Sequence, residues 1–441
     1  MEHNTSQDKV KKIVIFWFRR DLRIDDNAGF YQALSSGYPV MPVFIFDTNL
    51  REQLDTSGDA RVLFIRSALS ALNQNMFPAR SCLQIFKGKP AKVFAMLSEK
   101  LNIHAVYTNT DYEPYAMQRD SEVAAALKSK GTAFMTFKDQ VLYDTTEIVK
   151  SDNTPYTVFT PYSRVWKKRL LQDGIPCYKS EKLLGNLVKH QPAEFPVDTI
   201  YNIEGTIPLP IVVIPTTIIR DYHKTRDYPA QDGTTKLGQH LRFGTVSIRN
   251  LTTTAAGLNE TWLNELIWRE FFMMILWHFP QVVTESFKKK YDGILWRNNE
   301  QDFSRWCHGE TGFPMVDAGM RELNATGWMH NRVRMITAGF LVKHLLTDWR
   351  WGETYFAQKL IDYELASNNG NWQWAAGCGC DAAPYFRVFN PATQMRKFDP
   401  DQLYIKKWVP EYNSPRYATP LVEHDYTRKR AIEVYKKALR E

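Results

Sequence analysis

Five short apolar runs punctuate the first 145 residues: Ile13–Phe18, 40–46, 82–86, 105–108 and Ala133–Phe137, with amphipathic stretches of helical length between them. Strand-length apolar segments alternating with helical ones are the pattern of a parallel sheet covered on both faces. The expected N-terminal fold is therefore an α/β doubly wound parallel sheet. Dinucleotide-binding sheets carry G-x-G-x-x-G after their first strand, where the backbone cradles pyrophosphate. This chain has Phe18-Arg19-Arg20-Asp21-Leu22-Arg23 there, which disfavours a nicotinamide dehydrogenase.

The pattern changes further along. Residues 178–229 are proline-rich, with Pro192, Pro196, Pro208, Pro210 and Pro215 interrupting any helix. Within them the run 211–219 is expected to pack against a domain surface. From Thr234 the periodicity is helical, as in Glu260–His278 and 331–346. A chain of 441 residues exceeds what one core usually holds, about 250–300. The reading is a polar tail at 1–10, an α/β domain at 11–145, a connector at 146–229 and an all-helical domain at 230–441.

Composition narrows the partners. The 56 basic and 48 acidic residues leave a formal charge of +8, which favours polyanions. Thirteen tryptophans can fill cores or stack on flat ligands and bases. No apolar run approaches the ~20 residues of a membrane helix, and the run at Ile13–Phe18 is short and badly flanked for a signal peptide. An intracellular, cytoplasmic protein with access to DNA is expected. Five scattered cysteines argue against a disulfide framework, and Cys378-x-Cys380 without a second thiol pair gives no metal site.

Two clusters carry chemistry. In Gly327-Trp328-Met329-His330-Asn331-Arg332-Val333-Arg334-Met335, Asn331 and Met335 stand four apart and share a helical face, bringing amide, cation and thioether together. In Asp362-Tyr363-Glu364-Leu365-Ala366-Ser367-Asn368-Asn369-Gly370-Asn371-Trp372-Gln373-Trp374, acids and amides that are costly to bury alone lie beside two aromatics. Asn368-Asn369-Gly370 reads there as a turn.

These clusters, with Asn264-Glu265-Leu266-Ile267-Trp268-Arg269-Glu270-Phe271, Asp381-Ala382-Ala383-Pro384-Tyr385-Phe386-Arg387 and the opening Trp17-Phe18-Arg19-Arg20-Asp21-Leu22-Arg23, resemble the photolyase/cryptochrome family over nearly the whole chain. The resemblance implies an antenna domain followed by a helical domain holding FAD, and an enzyme that repairs cyclobutane pyrimidine dimers by light-driven electron transfer from reduced FAD. By the same resemblance Tyr222, Thr234, Thr235, Lys236, Leu237, Gly238, Trp262, Arg334, Asp362, Tyr363, Glu364 and Asn368 would bind the flavin. Glu265, Asn331, Met335, Trp268 and Trp374 would receive the dimer. Trp296, Trp349 and Trp372 would relay electrons, and Arg226, Arg269, Arg332, Arg387, Arg396 and Lys397 would meet DNA.

Choice within the family rests on few side chains. Enzymes acting on six-four photoproducts carry histidines at the positions of Asn331 and Met335. Single-strand-preferring members usually have Gln matching Met335 and Tyr matching Trp374. The residues here favour dimer repair in duplex DNA over a cryptochrome-type photoreceptor, another lesion or single strands. Tyr115-Ala116 stands where folate-binding members have Asn-Glu, so a second antenna chromophore (deazaflavin, flavin or folate) stays open. The expected state is a monomer.

Overall fold

A computed structural model describes residues 12–51, 59–190 and 214–439. The chain divides into two compact units. The first comprises Met1–Leu142, Ile175–Val212 and Phe243–Leu251, and the second Tyr143–Gly174, Val213–Arg242 and Thr252–Glu441.

The first unit is built on five parallel strands, β1 (Ile13–Phe18), β2 (Val40–Asp47), β3 (Gln84–Gly88), β4 (Ile103–Asn109) and β5 (Ala133–Phe137), in the order β3-β2-β1-β4-β5. β1 sits centrally, pairing Val14 with Val40 and Val14 with Ala105. Its side chains are buried on both faces, which explains the unbroken apolar run. The expected strand at 82–86 begins two residues later, because Leu83 donates its N–H to Asn73 Oδ1 at 2.8 Å rather than entering the ladder. Asn27 caps the helix Ala28–Leu34 by accepting from Phe30 N, and Pro90 and Pro114 open the helices Pro90–Lys100 and Pro114–Lys128.

Of the connector prolines, Pro192, Pro196, Pro208 and Pro210 lie outside the described residues, as does the start of the 211–219 run and the polar tail. Pro215 stands at the N-cap of the helix Thr216–Thr225, where its missing N–H costs nothing, and Ile219 in that helix is fully buried.

The second unit is helical. Its longest helix, Glu260–His278, is capped by Asn259 and apolar around most of its circumference, as a helix enclosed by neighbours must be. The periodic stretch 331–346 is helical too, but Asn331–Gly339 gives way to a wider π-helical turn over Phe340–Leu345. A large core cluster of this unit includes Trp306, Trp349, Trp372, Phe340 and Phe356.

Candidate active site

Gly327 ends the helix Pro314–Thr326 at φ 70°, a left-handed conformation, and an added Cβ would lie 3.2 Å from the Lys359 carbonyl. The chain then turns into the helix Asn331–Gly339, whose cap is His330: its Nδ1 accepts from Arg332 N at 3.1 Å. Burial pushes the His330 imidazole down to about 4, which keeps it neutral and able to accept. From this helix Asn331, Arg334 and Met335 line one cleft.

Arg334 forms the cleft's main ion pair. Its Nη2 lies 2.8 Å from Asp362 Oδ2, while its Nε donates to the Met329 carbonyl at 2.8 Å. Asp362 Oδ1 is buried with no hydrogen-bond partner from the protein. Close packing meets this aspartate from another side: a Cβ on Gly238 would lie 2.8 Å from Asp362 Oδ2. The Thr234-Thr235-Lys236-Leu237 loop, which leads into the helix Gly238–Phe243, is thereby held next to the ion pair. Lys236 in that loop is exposed, left-handed at φ 51°, and 5.5 Å above the Trp328 ring.

The opposite wall corrects the sequence reading. Asn368-Asn369-Gly370 is no turn but the middle of the helix Leu365–Ala376. Gly370 serves packing, since a Cβ there would fall 2.2 Å from the Phe272 ring. Asn369 donates to the Val282 carbonyl at 2.9 Å. Tertiary partners therefore override the local turn preference. Asn368 donates to Glu353 Oε1 at 2.9 Å and to the Glu353 carbonyl at 3.2 Å, so the atom it offers the cleft is Oδ1. Burial raises the Glu353 carboxyl, an effect the Asn368 bond opposes. The same cleft is lined by Tyr363, Glu364, Trp372 and Trp374.

A second group approaches from the helices Thr216–Thr225 and Glu260–His278. Glu265 Oε1 accepts from Arg226 Nη1 at 2.5 Å. Burial pushes the Glu265 carboxyl up, and Arg226 recovers only part of that shift. Tyr222 and Trp262 are buried. Trp268 lies parallel to Phe159 with 3.7 Å between ring centroids, so one of its faces is already covered.

Arg269 does not stand where a DNA-facing cation would. It is 9% exposed and bonds Glu364 Oε1 at 3.0 Å, because a guanidinium on the inner face of this helix needs a buried carboxylate. Arg332 is also largely enclosed, held by Asp227 at 2.6 Å. Arg387, Arg396 and Lys397 are exposed.

Trp372 and Trp349 are buried in the core cluster and the half-buried Trp296 packs against it. Sequence reasoning did not single out Glu353, Asp227 or Ser367. Glu353 had one weak signal, its position four residues after Trp349 on the same helical face.

Comparison with known proteins decides the family. Residues 14–180 match the model of the DNA photolyases, and residues 262–415 match the FAD binding domain of DNA photolyase. The deoxyribodipyrimidine photo-lyase of Synechococcus is 34% identical, with 96% of each chain covered.

The chain belongs to the DNA photolyase family.

The homologue from Halobacterium salinarum, bearing the same name, is 35% identical over 96% of this chain and 99% of its own. Among solved structures, a class III photolyase from Agrobacterium tumefaciens superposes with a TM-score of 0.84 at 29% identity, covering 99% of this chain and 100% of its own. An archaeal photolyase from Sulfolobus tokodaii, described with two FAD molecules, gives 0.79 at 33% identity, covering 96% and 99%. Within this family member, the residues around the cleft fit a flavin. Asp362 keeps a buried acceptor oxygen, and Asn368 presents one oriented carbonyl oxygen.

Proposed function

We propose that this family member is a light-driven carbon–carbon lyase that splits cyclobutane pyrimidine dimers in DNA. The observation that carries the reading is one cleft. It joins Asn331, Met335 and Trp374, the residues that distinguish dimer repair, to Arg334, Asp362 and Asn368, the flavin set. Reduced FAD, when bound, supplies the light-excited electron that opens the dimer and takes it back afterwards.

The chain's own residues do the rest. Arg334 and Asp362 would hold the cofactor as a paired unit, with Tyr222, Trp262, the Thr234-Thr235-Lys236-Leu237-Gly238 loop, Tyr363 and Glu364 around it. Asn331 and Glu265 would hydrogen-bond the pyrimidine edges, and Met335 would contact the dimer. Trp374 and Trp268 would restore stacking lost on extrusion from the duplex, worth ~1–3 kcal/mol per base. With both reactants held in this cleft, orientation rather than a nucleophile would lower the barrier.

Arg226, Arg387, Arg396 and Lys397 would meet phosphates, which positions the strand without reading sequence. Trp296, Trp349 and Trp372 would pass electrons inward from the surface. The α/β segment would serve as antenna domain for a second chromophore. The protein would act as a monomer inside the cell, and no helix among the described residues is long and apolar enough to cross a membrane.

Illumination of the flavin-reduced protein with dimer-containing and six-four-containing DNA tests the reading. Loss of the dimer alone is expected; loss of the six-four lesion instead would overturn the substrate assignment.

A further inference from the structure

The loop after the helix Thr216–Thr225 places a carboxylate among the cations at the cleft mouth. Thr225 Oγ1 donates to the Gly233 carbonyl at 3.1 Å, closing residues 225–233 into a compact loop. Gly233 permits that closure, since a Cβ there would lie 2.5 Å from Thr225 Cβ. Inside the loop Tyr228 N bonds the Thr225 carbonyl and Gln231 N the Tyr228 carbonyl, each at 3.1 Å. The backbone at Asp227 is thus placed by loop closure.

From there a single oxygen serves two guanidiniums. Asp227 Oδ1 accepts from Arg332 Nη2 at 2.6 Å and Nε at 3.3 Å, and lies 3.9 Å from Arg226 Nε. Arg226 in turn holds Glu265 at 2.5 Å. Two cations and two carboxylates therefore alternate as Glu265, Arg226, Asp227 and Arg332, with no net charge.

Arg332 is engaged by three partners. Besides Asp227, its Nη1 points to Met335 Sδ at 3.5 Å and its plane lies 4.4 Å from the Phe398 ring centroid. The Nε–Nη2 edge, one of the two that could grip a phosphate in bidentate fashion, is already occupied by a carboxylate, and Nη1 of the other faces a thioether. Only 16% of the Arg332 side chain is exposed. A cation in this arrangement stands against Met335 of the cleft and offers little to a passing DNA backbone.

We propose that Asp227 is a positioning residue for lesion recognition, which commits Arg332 to the cleft mouth and withholds its charge from undamaged DNA. The inference rests on the functional reading above. Undamaged duplex keeps its bases stacked and brings only phosphates to this surface, so it gains nothing from a well-placed Arg332. A dimer swung into the cleft meets Met335 and the guanidinium braced against it. Removing the Asp227 charge should consequently move the two affinities in opposite directions, an outcome that simple loss of folded structure would not produce.

The test compares wild-type protein, Asp227→Asn, Arg332→Gln and the double variant by equilibrium binding to dimer-containing and undamaged duplexes across a salt series. For Asp227→Asn the expected result is about a tenfold loss of discrimination. Lesion affinity falls, undamaged affinity rises, and the salt slope for undamaged DNA steepens by roughly one. Arg332→Gln should lose lesion affinity to a similar degree, and the double variant no more than either single one, as for residues acting through one contact. Unchanged discrimination in Asp227→Asn, or additive losses in the double variant, would overturn the proposal. A wild-type protein without preference for dimer-containing DNA would overturn the functional reading instead.

Discussion

Carboxylates and guanidiniums meet in both units of this molecule, with opposite results. In the α/β unit Asp139 accepts from Arg23 at 2.7 Å and from Arg249 at 2.7 Å, while Arg249 also holds Asp26 at 2.9 Å. No side chain of that quartet is more than 6% exposed. Burial alone would raise the Asp139 carboxyl, but two guanidiniums and the Ala28 N–H bring it down to about 2. In the helical unit Glu265 has Arg226 as its close cationic partner, and burial wins: its carboxyl is pushed up. The difference teaches what each arrangement is for. A carboxylate satisfied twice over is a structural tie, whereas one with a single cation, a third of its side chain exposed, keeps a lone pair for a ligand.

The sharpest way to break this contrast is Asp139→Asn. It leaves two buried guanidiniums short of a counter-charge and should destabilise the α/β unit by ~3–5 kcal/mol in denaturant unfolding. Glu265→Gln should change stability by no more than ~1 kcal/mol. Equal losses would erase the distinction between tie and ligand group.

Acid should separate the units next. His330 and His344 are buried neutral, held down to about 4 and about 3 by desolvation. The unfolded chain takes up their protons near pH 6.5, so stability falls as pH drops below that, by about 3 kcal/mol from His330 as pH reaches 4 and by about 5 kcal/mol from His344 as it reaches 3. Asp139 titrates in the folded state near 2 against an ordinary 3.8, so its contribution persists to about pH 4 and is lost only as pH falls through 2. Region-resolved hydrogen exchange, corrected for intrinsic rates, should show the helical unit loosening first on acidification. Loosening of the α/β unit first would contradict this account.

Within the cleft, Glu265→Ala should lower repair per photon more than damaged-DNA affinity, measured by single-flash yield beside equilibrium binding. An equal, large loss of affinity would reduce Glu265 to a binding group. The smallest effect expected is from Arg226→Ala, which should shallow the salt dependence of binding by roughly one phosphate contact. An unchanged slope would mean that Arg226 remains bound to Glu265 when DNA is present.

Much of this was legible in the residues. Unbroken apolar runs such as Ile13–Phe18 require strands covered on both faces, and that pattern is local. The periodicity of Glu260–His278 gave its helix to the residue. Asn331 and Met335 share a helical face by spacing alone, and they do line one cleft. Other outcomes depended on partners distant in the chain. Asn368-Asn369-Gly370 looks like a turn until Phe272 and Val282 are placed against it. Arg269 and Arg332 look like cations for DNA until Glu364 and Asp227 neutralise them. Arg249, which no sequence pattern singled out, lies in the Phe243–Leu251 segment of the α/β unit, where it pairs with Asp139.

The sequence by itself thus determined the elements and the inventory of the cleft, because strand and helix periods and the spacing of side chains on one face are properties of adjacent residues. Only the tertiary structure decided which charges are available. A guanidinium's reach to phosphate or substrate depends on whether a carboxylate a hundred residues away already occupies its donors. No local pattern carries that information.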